Sequence, residues 1–335
     1  MSSVTPVEMP AVGSATARTS HLYERVKRVI PPAEWGVLAN DVEAIQHLKI
    51  ERNAVILAHN YQTPEIYHCV ADIVGDSLTL AREAATTDAD VIVLAGVYFM
   101  AETAKLLNPR KTVLMPDPEA GCSLADSITP ADVRQLRRLH PGLPVIAYVN
   151  TSAAVKAEVD VCCTSGNAAR VVKSFGLPKV IMLPDQYLAQ NVAAETGVEI
   201  LSWAGQCEVH ERFTAADIAE LREAHPGITV LVHPECPPEV VRAADFAGST
   251  GAMADYVGVN RPSSVVLLTE CSMSDNISVQ YPDLEFVRPC NLCPHMKKIT
   301  VANIRQALEE NRHVVEIDPE TAARARVSVE RMLAL

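Results

Sequence analysis

Three apolar, β-branched runs recur along the chain and end in polar residues: AVILAHNYQ (54–62), PVIAYVNTS (144–152) and TVLVHPECP (229–237). Short apolar runs of this kind predict buried parallel strands. Each leads into a helix-like segment and then into a second related phrase: ADIVGDS (71–77), VDVCCTS (159–165) or ADFAGST (244–250). Further strands are predicted at DVIVLAG (90–96), KVIMLPD (179–185) and SVVLLTE (264–270). A last set lies at TVLMPD (112–117), VEILSW (198–203) and LEFVRP (284–289). Strands that alternate with helical patterns of about 10–15 residues build parallel sheets faced by helices.

The pattern repeats at a fixed period. CSLADSITPADVRQLRRLHPG (122–142), CEVHERFTAADIAELREAHPG (207–227) and the weaker CPHMKKITVANIRQALEENR (293–312) each open on a cysteine. Such self-similarity organises the whole chain. The fold class expected is α/β, with three homologous parallel-sheet units arranged with pseudo-threefold symmetry around a central site. The units are set at 45–132, 133–217 and 218–306. Residues 1–44 form an extension, loose over its first 20 residues, with a leading helix closed by Pro31-Pro32. Residues 307–335 end in a helix capped by Asp318 and Pro319, its apolar face expected on the third unit.

Composition narrows the class. With 335 residues and 48% hydrophobic content the chain is globular. A net charge of −12 without a basic cluster excludes nucleic acid as the main partner. Apolar runs such as VIVLAGVYFMA are too short to span a bilayer, so no membrane association is expected. MSSVTPVEMP lacks the marks of a secretory signal, which points to a cytoplasmic location. Nine cysteines in a reducing compartment argue against a disulfide framework and for metal, catalytic or core roles.

Ligands bind beyond the carboxyl ends of strands in open α/β sheets. There the repeats place His59-x-Tyr61, Tyr148-x-Asn150 and His233-x-Glu235. Residues two apart on an extended segment point the same way, so each unit offers a polar pair to one face. Ser77, Ser165 and Thr250 occupy equivalent places at helix starts, where backbone N–H groups attract anions. Cys122, Cys207 and Cys293 are the third equivalent set. On a threefold axis three thiolates would meet and demand a cation, with zinc, Cu(I) or an iron–sulfur cluster as soft-ligand choices. The repeat fixes no fourth ligand for zinc, and a cubane with one open iron fits better. An open iron is a Lewis acid for a substrate hydroxyl or carboxylate. Cys290 has no counterpart in the other repeats, so Cys293 is the expected ligand. Cys69, Cys162, Cys163 and Cys236 are assigned to the core, and Cys271 has no assignment. Two rivals stand beside a cluster enzyme of this kind: a hydro-lyase with the same cluster, and a zinc-stapled scaffold.

The phrases AHNYQ, GDSL, VYFMAETAK, CSLADS, YVNTSAAVKA, CTSGNA, LPDQYLAQNVA, VHERF, HPEC, GSTGAM and CPHMKKIT together resemble the quinolinate synthase family from about residue 45 to 306. The resemblance implies three α/β domains about a pseudo-threefold axis, and a 4Fe–4S cluster held by Cys122, Cys207 and Cys293. It implies condensation of iminoaspartate with dihydroxyacetone phosphate to quinolinate, with loss of phosphate and water, in NAD biosynthesis. The substrate-contacting positions it carries over are His59, Tyr61, Ser77, Tyr148, Asn150, Ser165, His233, Glu235 and Thr250. Glu235, paired with His233, is the candidate general base, and Tyr61 the candidate gate or proton relay. The partners implied are the two substrates and a functional coupling to an aspartate oxidase or dehydrogenase, in a monomer or homodimer.

Overall fold

The computed structural model describes residues 13–335. Most of the N-terminal stretch expected to be loose therefore lies outside the described residues. Its end does not: Ser14 caps a short helix, Ala15–Arg18.

Twelve strands among the described residues form three four-stranded sheets, all parallel. The first holds β1 (Ala54–His59), β2 (Ile73–Gly75), β3 (Val91–Ala95) and β4 (Thr112–Leu114). The second holds β5 (Val145–Tyr148), β6 (Val161–Cys163), β7 (Lys179–Leu183) and β8 (Glu199–Ser202). The third holds β9 (Thr229–Val232), β10 (Phe246–Ala247), β11 (Ser264–Leu268) and β12 (Glu285–Val287). The orders are β2-β1-β3-β4, β6-β5-β7-β8 and β10-β9-β11-β12, one topology used three times. Nine strands match the apolar runs. The strands β2, β6 and β10 are not among the expected ones: they lie inside the repeated phrases at 71–77, 159–165 and 244–250, where an aspartate and only two or three strand residues give no apolar run.

The recurring aspartates build the frame. Asp72, Asp160 and Asp245 each accept the backbone N–H of a central strand, from Ile56, Val145 and Val230, at 2.9, 2.8 and 2.8 Å. Each also pairs with a base on the preceding helix: Lys49, Arg137 or Arg222. The carboxylate thus ties edge strand, central strand and helix together. Thr129, Thr214 and Thr300 start the next helices with capping boxes closed by Asp132, Asp217 and Asn303.

The leading helix, Ser20–Val26, ends before the prolines and is not closed by them. Pro31 and Pro32 instead open a 20-residue helix, Pro32–Glu51, because proline suits a first turn whose N–H groups have no partner. The helix Val301–Glu310 packs against it and against β3, so the chain returns to its first unit. The terminal helix Pro319–Ala334 is capped by Asp318 as expected, but it does not pack on the third unit. It lies along β6 and the helices Ala153–Lys156 and Tyr98–Leu107. Polar ties hold it there: Ser328 donates to the Lys156 carbonyl, Arg331 to the Asp160 carbonyl, and Arg324 pairs with Glu158. No helix of the described residues is long and apolar enough to cross a membrane.

Candidate active site

β1, β5 and β9 all end at the same place. His59, Tyr61, Tyr148, Asn150, His233 and Glu235 follow from those strand ends. Ser77 and Thr250 are first residues of the helices Ser77–Thr86 and Thr250–Asn260, and Ser165 precedes the helix Ala168–Ser174. Cys122, Cys207 and Cys293 sit in the turns after β4, β8 and β12. The structure brings all twelve to the wall of one cavity of about 70 Å³. Cys69, Cys162, Cys163 and Cys236 are buried away from it.

Glu235, 3% exposed, is the hub. Its Oε1 accepts the Tyr148 hydroxyl at 2.5 Å, and its Oε2 lies 2.7 Å from His210 Nδ1. Burial alone would raise its carboxyl. The facing His233 and His210 and the bonds from His210 and Tyr148 outweigh that and hold it well below the usual carboxylate range. Tyr148 and Tyr61 are pushed far above the ordinary phenol value by burial and then by the Glu235 charge, so both are neutral donors.

His59 and His233 repeat one local device. Each Nδ1 accepts the N–H of the residue two further on, Tyr61 at 3.2 Å and Glu235 at 3.4 Å. That assignment leaves Nε2–H to donate, and in His233 it reaches Ser165 Oγ at 3.2 Å. Burial lowers the two imidazoles to about 4 and about 3, so both are neutral near pH 7.

A second chain of groups leads from Glu235 to Tyr61. His210 Nε2 lies 2.9 Å from Thr269 Oγ1 and 3.3 Å from the Tyr61 hydroxyl. The Tyr61 hydroxyl lies 2.5 Å from Thr269 Oγ1. The His210 ring stacks on His233 at 4.6 Å.

The chain matches the family model "Quinolinate synthetase A protein" over residues 43–334. It is 73% identical over 315 residues to quinolinate synthase 1 of Mesorhizobium japonicum, covering 94% of this chain and 97% of that one. It is 72% identical over 312 residues to the quinolinate synthase of Agrobacterium fabrum, covering 93% and 90%. Against the quinolinate synthase of Xylella fastidiosa the identity is 72% over 296 residues, covering 88% and 87%.

The chain belongs to the quinolinate synthetase A family.

Two residues of the site carry no signal from the repeat. His210 and Thr269 have no counterpart in the other repeats, where Ala125 and Met296 stand in the place of His210. The one available signal was His210 falling three residues after Cys207. Cys271 and Cys290 were also unpaired in the sequence reading. A bridge between Glu270 and Asn291 brings them together, and they form a disulfide with Cα atoms 4.9 Å apart.

The cysteine turns are alike in detail. Cys122 Sγ accepts the N–H groups of Ala125 and Leu124, Cys207 those of His210 and Val209, and Cys293 those of Met296 and His295. These bonds favour thiolate, but burial dominates and raises all three thiols, Cys122 to about 12. Among the described residues no Lys or Arg lines the cavity. Three sulfurs prepared as acceptors, without a protein cation, fit a bound cationic group with affinity for sulfur.

Proposed function

We propose that this chain makes quinolinate for NAD biosynthesis, condensing iminoaspartate with dihydroxyacetone phosphate and losing phosphate and water. One observation carries the reading: three equivalent cysteines share a cavity with an ionised, buried glutamate and the hydroxyl and imidazole groups bonded to it. The family membership gives that cavity its reaction. The imine substrate is unstable in water, which makes functional coupling to an aspartate oxidase or dehydrogenase the natural supply.

Cys122, Cys207 and Cys293 would hold a 4Fe–4S cluster, and three units converging about an approximate threefold axis would deliver one ligand each. The donor spacing supports a cluster over a single zinc. Among the described residues, the group tight enough for one ion, with ligand atoms within 4.8 Å, is Cys207, His210 and Glu235 rather than the three cysteines. That group is already joined by hydrogen bonds of its own. When bound, the cluster supplies an open iron as Lewis acid for a substrate oxygen.

The protein's own groups do the rest. Ser77, Ser165 and Thr250, at or near helix starts, hold carboxylate or phosphate oxygens. Asn150 Oδ1 is buried without a partner and awaits a donor such as a substrate N–H. Glu235 is the general base, pre-ionised and oriented by Tyr148 and His210. Tyr61 passes a proton along Thr269 and His210 toward Glu235, a path of hydrogen-bond length at each step. His233 stays neutral, bonded to Ser165, and keeps the Glu235 backbone in place.

The test is an anaerobic assay of purified protein with chemically generated iminoaspartate and dihydroxyacetone phosphate. Quinolinate and phosphate released in equal amounts support the reading. Loss of water from a hydroxy acid without use of the triose phosphate would replace it with the hydro-lyase reading.

A further inference from the structure

We infer that Lys297 is a positioning residue that ties Tyr61 to the turn carrying Cys293. An ammonium group has three protons, and Lys297 has an acceptor for each. Its Nζ reaches the Tyr61 carbonyl at 2.7 Å, Ser272 Oγ at 2.6 Å and Glu270 Oε1 at 3.0 Å. Its own backbone N–H donates to the Cys293 carbonyl at 3.2 Å and closes that turn. One residue therefore connects the first unit's tyrosine with the third unit's cysteine.

The repeat shows that the turn itself does not require lysine. The same backbone bond is made by Asp126 to Cys122 and by Glu211 to Cys207, both acidic residues. The lysine is thus particular to the turn that faces Tyr61. Its role there is specific to the tyrosine segment. Asn276 Nδ2 takes the carbonyls on either side, Asn60 at 3.1 Å and Gln62 at 2.8 Å. Three consecutive carbonyls are pinned by third-unit side chains, and Lys297 supplies the central bond. The Tyr61 N–H goes to His59 and its hydroxyl to Thr269, so the Lys297 bond completes its restraint.

Glu270, fully buried, needs a partner charge. That separates two roles for Lys297, neutralising Glu270 and holding Tyr61. The inference rests on Tyr61 taking part in the reaction proposed above. A displacement of about 1 Å in a reacting group can cost about a hundredfold in rate.

The experiment compares Lys297→Met, Lys297→Arg and the double variant Lys297→Met with Glu270→Gln, each full length and anaerobically loaded with iron and sulfide. The double variant removes the unpaired buried charge and keeps the test clear of misfolding. It is expected to load iron as the parent does, and to lose about tenfold to a hundredfold in kcat with KM little changed. Hydrogen exchange across residues 59–63 should quicken, and Lys297→Arg should recover part of kcat. Parent-like kcat and exchange in the double variant would overturn the inference and leave Lys297 as a counter-charge alone. If the parent protein makes no quinolinate, the reaction reading fails by itself, while the exchange rates still decide whether Lys297 holds Tyr61.

Discussion

The frame and the cavity wall use the same repeat in opposite ways. In the frame the three copies agree: Asp72, Asp160 and Asp245 make the same two-way tie, and Thr129, Thr214 and Thr300 make the same cap. On the cavity wall they diverge. His59, Tyr148 and His233 stand at equivalent strand ends, and Ala125, His210 and Met296 at equivalent turn positions. The cysteines and the helix-start hydroxyls of Ser77, Ser165 and Thr250 are the exceptions, repeated in all three copies and facing the cavity, as the proposed cluster-holding and anion-holding roles require. Agreement among copies thus marks what each unit needs to fold. Departure marks what two unlike, asymmetric substrates need to meet.

The sharpest way to break that contrast is on the wall. Glu235→Gln keeps shape and removes the proposed base. Turnover should fall by about two to four decades, with iron content and melting temperature close to the parent. A variant that turns over normally would move the base elsewhere.

Next comes the frame. Asp160→Ala removes the acceptor for Val145 N–H and Arg137, at 2.8 and 2.9 Å. Urea unfolding should show a loss of about 1.5–3 kcal/mol, with kcat of the folded fraction unchanged. A large kcat loss at unchanged stability would erase the distinction between frame and wall.

Acid sharpens the contrast more gently. His59 and His68 are lowered by burial to about 4, from an ordinary 6.5. The folded protein keeps them neutral while the unfolded chain takes up protons below pH 6.5. Stability from these two groups is therefore intact at neutral pH, falls between pH 6.5 and 4, and levels off below. Replacing His68 should flatten part of the melting-temperature decline over that window.

The smallest effect is expected at a cap. Thr214→Ala should cost about 1 kcal/mol, read as a shift in urea midpoint with no change in turnover.

What the sequence made legible follows the same divide. Repeated features were readable, because three weak signals at one period support each other. The nine strands set by the apolar runs, the strand-end pairs, the helix-start hydroxyls and the cysteines are all legible in that way. Single features were not. His210 and Thr269 have no echo, and their importance comes from distances to Glu235 and Tyr61 that only the folded chain creates. The seat of the C-terminal helix was misread for a related reason. Order along the chain suggested the third unit, whereas Lys156, Glu158 and Asp160 of the second unit supply its polar ties. The pairing of Cys271 with Cys290 likewise depends on the bridge between Glu270 and Asn291.

The most direct measurement is iron and acid-labile sulfide per chain, taken together with a visible spectrum, on anaerobically purified parent and Cys207→Ser protein. The parent should carry about four of each with a broad band near about 400 nm, as thiolate-held clusters do, and the variant should lose the band while remaining folded. Zinc without sulfide in the parent, or an unchanged spectrum in the variant, would contradict a cluster shared by the three repeats.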